Sequence, residues 1–340
     1  MRSETAVLDR PRSPLFRGTA VVCAGLLLAG CVTTQAGRIG ADDGTDSCRR
    51  QLVALDSTGN FFAEDIIKGA VVGAVAGGLL GGLASGNWRG AAIGATAGAV
   101  AGAATGYWVA VQQQQRDQAG MFTQVKSDLT RENAQLDRTQ VAFDNLTDCR
   151  FGQARQVRAD YQAGRISRDQ AQAQMALIRQ RYDRDLALAR TINGQIGGRQ
   201  EQFADAANNL SPGTKDAIER AKPAPRRVVL ASAAPLKVAP GAGAGELTQL
   251  SARQSVTVKS QRDGYALVET ADGKEGFVPV SAIQGGARSI PTTTVSTAGA
   301  GGTDQGEVRT LAATNAAKRD NFNDSLAVAE RASATGFDLS

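Results

Sequence analysis

Glycine returns every four residues along two stretches of this chain, and that beat limits what the chain can fold into more than any other feature. Gly69, Gly73, Gly77 and Gly81 form the first series, and Gly90, Gly94, Gly98, Gly102 and Gly106 the second. Ala, Val, Ile and Leu fill most of the gaps. In water, a glycine inside a helix costs about 1 kcal/mol relative to alanine. In hydrocarbon no solvent competes for the backbone, which must bond to itself, and a stripe of small residues lets two helices approach to backbone contact. The spacing therefore predicts a paired transmembrane helical hairpin over residues 66–111, with these glycines as its packing stripe. Residues 66–84 carry one charge, Lys68, and residues 91–111 carry none. At ~1.5 Å per residue, each run approaches the ~30 Å of bilayer hydrocarbon. Ser85, Gly86, Asn87, Trp88 and Arg89 form the expected turn, while Tyr107 and Trp108 stand where interfacial aromatics belong.

The start of the chain agrees with a membrane destination. Arg10, Arg12 and Arg17 precede an uncharged, mostly apolar run over 20–30 that is too short to span a bilayer, so residues 1–30 read as an export signal. The run ends in Leu28, Ala29, Gly30 and Cys31, which resembles the lipobox of bacterial lipoproteins. The resemblance implies cleavage before Cys31 and a diacylglyceryl group on its thiol, the one covalent lipid expected and no other cofactor. Val32 stands where an aspartate favours inner-membrane retention in enterobacterial lipoproteins, which leans the expectation toward the outer membrane, facing the periplasm. The competing reading is an ordinary secretory signal with an incidental cysteine. One acyl chain holds a protein weakly, whereas a chain plus an inserted hairpin holds it firmly.

Residues 66–110 resemble the glycine-zipper hairpins of bacterial outer-membrane lipoproteins, a likeness that speaks to architecture rather than activity. A Gly/Ala linker would favour serine and polar residues over regularly placed Val, Ile and Leu. A zipper-lined pore would need a polar lumen, and only Thr96 and Thr105 offer one.

Composition narrows the chemistry. The chain has no histidine, which removes Ser-His-Asp and Cys-His catalysis and histidine metal sites. A formal net charge of +5 over 340 residues is too mild for a nucleic-acid binder. Aromatics make up 5%, favouring several small modules over one large core. No catalytic or metal-ligating set is expected. Cys48 and Cys149 remain once Cys23 leaves with the signal and Cys31 is lipidated. They flank the hairpin and would share one side of the membrane, where an exported chain keeps disulfides. Sequence leaves a bridge and two separate thiols both open.

Beyond Val111 the chain turns polar at Gln112, Gln113, Gln114, Gln115 and Arg116. Phe122, Val125, Leu129, Leu136, Phe143 and Leu146 fall on a 3/4 spacing broken by Glu132 and Thr139. Met175, Ile178, Tyr182, Ala189, Ile192, Ile196 and Phe203 form a second stripe. The pattern predicts two antiparallel coiled-coil-like helices, 113–162 and 167–208. Gly164 lies between them, and Ser167 with Gln170 forms a capping-box signature. They are expected either as an intramolecular hairpin, as a self-associating coil, or as a solvated spacer that holds the next module away from the membrane. Residues 211–225 read as a linker.

Over 226–284 the rhythm becomes two. Strands are expected at 227–230, 235–241, 255–258, 266–269 and 276–279, with turns at Gly264-Tyr265 and Asp272-Gly273. The order of Leu236-Lys237-Val238, Gly264-Tyr265, Leu267-Val268 and the 272–278 run resembles the bacterial SH3-like domain of exported proteins. That resemblance implies a small all-β barrel that binds peptidoglycan or periplasmic peptides, with Tyr265 and Phe277 as candidate contacts. Core packing is the competing role for Phe277. The family often carries a tryptophan at or before position 265, and this chain does not. Residues 285–306 read as disordered linker. A last helix over 307–331, with Val308, Leu311, Phe322 and Leu326 on one face, is left open between docking on the coil and binding a partner.

The expected chain is thus mainly α and modular. Its pieces are a signal (1–30), an N-terminal periplasmic segment (31–65), the zipper hairpin (66–111), the coil (112–210), the SH3-like domain (226–284) and a helical tail (307–340). The expected role is a non-catalytic, lipid-anchored tether of the cell envelope. Its partners would be membrane lipid, copies of itself through zipper and coil, and peptidoglycan or envelope proteins. The alternatives are an oligomeric subunit of an envelope secretion or stress assembly, and a pore.

Overall fold

The structure, a computed structural model, describes residues 34–63, 106–289 and 303–339. It divides into two units, residues 1–46 and 47–340. Of the first, residues 34–46 are described and hold one short helix, α1 (Gln35–Ile39), capped by the Thr34 hydroxyl, which accepts from the Gly37 N–H at 3.1 Å. The export signal, Cys31 and zipper glycines 69 to 102 lie outside the described residues.

The second unit is built on two long antiparallel helices, α4 (Gln118–Gln162) and α5 (Arg168–Leu210). Asp117 starts α4 by accepting from the Gly120 N–H at 2.7 Å. Gly164, with φ +68°, turns the chain after α4. Ser167 and Gln170 then exchange side-chain and backbone bonds in the expected capping box. Both apolar stripes are buried along their whole length. The two interruptions of the first stripe are buried as well. Thr139 returns its hydroxyl proton to the Gln135 carbonyl at 2.9 Å, and Glu132 meets Arg199 of α5.

Two further elements complete a bundle. The last helix, α7 (Asp304–Thr335), lies in the groove of α4 and α5 and runs parallel to α4. Asn133 donates to the Leu311 carbonyl at 3.1 Å, Gln140 donates to Ser325 at 3.2 Å, and Lys318 pairs with Asp137. Docking on the coil is therefore the role the structure gives this helix. The other side of the bundle is filled by α2 (Arg49–Ala63) and α3 (Gly106–Gln114), both running against α4. Residues 49–63, expected as part of a plain periplasmic segment, are bundle helix. Within the expected linker, 214–221 form α6 (Thr214–Ala221).

The end of the expected second membrane span needs correcting. Tyr107, Ala110 and Val111 are buried in a cluster with Phe122, Leu129, Phe203 and Val308, and Trp108 packs partly against it. Tyr107 and Trp108 are thus bundle residues, not an interfacial belt. The reason is a buried acceptor: the Tyr107 hydroxyl donates to Asp128 at 2.9 Å, a partner that lipid would not provide. Among the described residues, no helix is long and apolar enough to cross a membrane.

Residues 226–279 form one six-stranded antiparallel sheet in the order β1-β4-β5-β6-β2-β3. The strands are β1 (Arg226–Val229), β2 (Ala234–Lys237), β3 (Glu246–Leu250), β4 (Ser255–Arg262), β5 (Tyr265–Thr270) and β6 (Glu275–Pro279). All six line one core through Val228, Leu236, Leu250, Val256, Val268 and Val278, among others. The β4–β5 turn is Asp263-Gly264, both with positive φ, the conformation a two-residue hairpin requires.

Candidate functional site

The fourth side of the bundle is a helix in two pieces, and the chain leaves the described structure between them. On α5, Phe61 of α2 sits over the Arg199 guanidinium at 4.9 Å from the ring centre. Tyr107 of α3 meets Phe203 edge-on at 5.0 Å. Arg199 and Phe203 are one helical turn apart, about 6 Å. On α4, Gln135 donates to the Thr58 carbonyl at 3.2 Å, and Asp128 takes Tyr107. The two ends of the 64–105 segment, at Ala63 and Gly106, therefore lie beside each other on one flank of the bundle.

Buried polar contacts pin both ends. Arg199 meets Glu132 with Nε to Oε1 at 3.0 Å and Nη2 to Oε2 at 2.6 Å, and Phe61 and Phe62 cover its guanidinium. Burial pushes the Glu132 carboxyl up, and Arg199 draws it back. Beside it, Asp128 accepts from Tyr107, from Gln124 at 2.8 Å and from Arg131 at 2.5 Å. Glu132 is legible in sequence only as a break in an apolar stripe. Asp128 and Arg199 carry no such signal.

Farther along, the Cys48–Cys149 bridge, with Cα atoms 5.9 Å apart, ties the start of α2 to α4. The neighbouring residue, Arg150, is fully buried and grips Asp185 of α5, with Nε to Oδ2 at 2.6 Å and Nη2 to Oδ1 at 3.3 Å.

The sheet is docked on the bundle and is not held away from it, so the coil is no spacer. Arg262 donates to Asp144 of α4 at 2.7 and 3.2 Å and to Ser325 of α7 at 2.8 Å. Arg331 of α7 pairs with the buried Glu275. Arg155 donates to the Gly243 carbonyl at 3.2 Å. Gly245 lies so close to Phe151 that a Cβ there would sit 2.6 Å from the ring-bearing carbon. This arrangement corrects the place of Phe277. It is 2% exposed, on the sheet face opposite the core, with Arg262 over its ring at 5.3 Å. Phe277 belongs to the docking face and is closed to a ligand, while Tyr265 is half-buried.

One carboxyl in this junction is strongly perturbed. Asp148 is raised from 3.8 to about 6, first by burial and then by the nearby Asp144 charge, against Arg155, the Gly245 N–H and Lys237. Folded chains therefore keep a proton that unfolded chains have lost. The associated stability is fully present below pH about 4 and drains away as pH rises through about 6. Urea melts of wild type and Asp148→Asn between pH 4 and 7 check this. Relative to wild type, the variant gains stability as pH rises, because Asp144 and Asp324, also raised by burial, titrate in both proteins.

A family model described as a YMGG-like Gly-zipper matches residues 52–110. No curated protein and no solved structure matches the chain. The matched stretch begins in α2, crosses the undescribed segment and ends in α3, so it contains both pinned ends of the break. The chain thus carries a glycine-zipper element, set between the two halves of the bundle's fourth helix.

Proposed function

We propose that this protein is a non-catalytic, lipid-anchored scaffold of a bacterial cell envelope. Its zipper is held in the bilayer as a hairpin, and its bundle and sheet form one compact unit on the periplasmic side, at the outer membrane. The observation that carries the reading is the placement of Ala63 and Gly106 on one flank of α5, since a hairpin must leave and return on the same side. The Cys48–Cys149 bridge supports it, because disulfides persist outside the cytoplasm. The lipobox-like Leu28 to Cys31 supplies the second membrane signal that stable anchoring needs. The SH3-like reading of residues 226–284 stays part of the proposal in a narrower form. With Phe277 covered by helices, peptidoglycan or a periplasmic protein would have to meet another surface of the module, beginning with Tyr265. Copies of the chain would associate through their zippers, since α4 and α5 spend their apolar stripes inside the bundle.

Incorporation of labelled palmitate in wild type and Cys31→Ala tests the anchor. Label is expected in wild type and absent from the variant, with both proteins sedimenting with membranes. Equal labelling of the two removes the lipid from the reading.

A further inference from the structure

We infer that the flank made of α2, α3 and the outward stripe of α4 rests on the phospholipid headgroups, so that the bundle lies along the membrane and does not stand on it as a stalk. The inference rests on the zipper being inserted.

Chain length comes first. Only Glu64 and Asp65 separate α2 from the apolar run at 66, and Gly106 closes the last glycine series as α3 begins. No polar tether exists along which the zipper could descend before entering lipid. Yet α4 extends from the break at Asp128 back to Gln118, about 15 Å, and forward to Gln162, about 50 Å. An upright bundle would drive one of those polar ends into hydrocarbon. A bundle on its side places the break at the headgroup level and keeps both ends in water.

The chemistry of the flank agrees. Gln135, Ala142 and Cys149 are seven apart and face α2, whereas Asp144 and Phe151 face the sheet and its loop. Ala142 and Asp144 are two residues apart, a turn of about 200°, so α4 carries the sheet on the side away from α2. On the α2 side, Arg50, Arg131 and Arg138 are exposed. The one acid of α2, Asp56, is 1% exposed, and α3 has none. Val141 at 58% and Val109 at 45% are two of the four large apolar side chains exposed among the described residues. Asp137, the exposed acid beside Val141 on α4, is answered by Lys318 of α7, and neither α2 nor α3 exposes an acid. The arginines around the exposed valines therefore leave the flank net positive, which suits an anionic lipid surface and sets like charges against a second copy of the same face.

Tryptophan quenching by lipids brominated near the headgroups, in vesicles of phosphatidylethanolamine and phosphatidylglycerol, tests the orientation on the full chain. Trp108→Phe leaves Trp88 as the reporter of zipper insertion. Adding Trp88→Phe with Val141→Trp reports the flank, and Val229→Trp in the same background reports the exposed sheet. Quenching is expected for Trp88 and for position 141 but not for position 229. Arg50→Glu with Arg138→Glu should weaken the contact at 141 by more than about fivefold per position, since each reversal removes one attraction and adds a repulsion. Trp88 quenched with 141 silent, 141 and 229 quenched alike, or 141 indifferent to the charge reversals overturns the inference and leaves insertion intact. An unquenched Trp88 instead overturns insertion itself, and the inference falls with it.

Discussion

Arg150→Ala is expected to destabilise the folded unit by about 3–5 kcal/mol, the range for removing one partner of a buried ion pair. Arg150 is fully buried and its guanidinium grips Asp185, whose side chain is 3% exposed. With the arginine gone, the Asp185 carboxyl stays buried between α4 and α5 but loses the guanidinium that grips both of its oxygens. The loss comes from keeping a carboxylate buried after its bidentate donor is removed rather than from the worth of the pair. Replacing both partners by apolar residues, Arg150→Met with Asp185→Leu, should therefore recover most of the stability, since such exchanges are often neutral or favourable. Urea unfolding of the two variants followed by helical circular dichroism checks both statements. A single variant as stable as wild type would mean that Asp185 finds water or another donor, and that this part of the bundle is looser than described.

Breaking the Cys48–Cys149 bridge is the second large effect. The bridge closes a loop with a sequence separation of 101 that contains α2, the zipper and α3. Chain entropy alone assigns such a loop about 4–5 kcal/mol. The effect should also be local. α2 buries only Leu52, Leu55 and Phe62 as large apolar side chains, with Gly59 against Ile192. Cys48→Ser should release α2 first while α4, α5 and α7 stay paired. Hydrogen exchange resolved along the chain reads this directly: protection is expected to collapse over 49–63 and to persist over 168–210. Uniform loss across the bundle would show that α2 is integral to its cooperativity.

Much of the bundle was legible in sequence, because the two long stripes and the Ser167–Gln170 box are local patterns with local physical causes. The same is true of five of the six strands and of the Asp272-Gly273 turn. What escaped were features decided by distant partners. Tyr107 and Trp108 at the end of an apolar run look alike whether the next layer is lipid or protein. Only the fold brings up Asp128 and Phe203 to decide it. β3 follows a glycine-rich run and alternates weakly, so its pairing with β2 carries the information that Glu246–Leu250 lacks. Phe277 sits in an apolar strand, and whether its outward face meets a ligand or a helix depends on Arg262 finding Asp144, 118 positions away. The zipper itself was the plainest signal in the chain, and the family match at 52–110 rests on it.

The account stands on residues 64–105 being lodged in a bilayer as a hairpin that leaves and rejoins one flank of the folded unit. Alkaline carbonate extraction of membranes carrying the full-length Cys31→Ala protein tests this without help from the lipid. The protein is expected to stay in the membrane pellet. Its clean release as a soluble monomer would contradict the account.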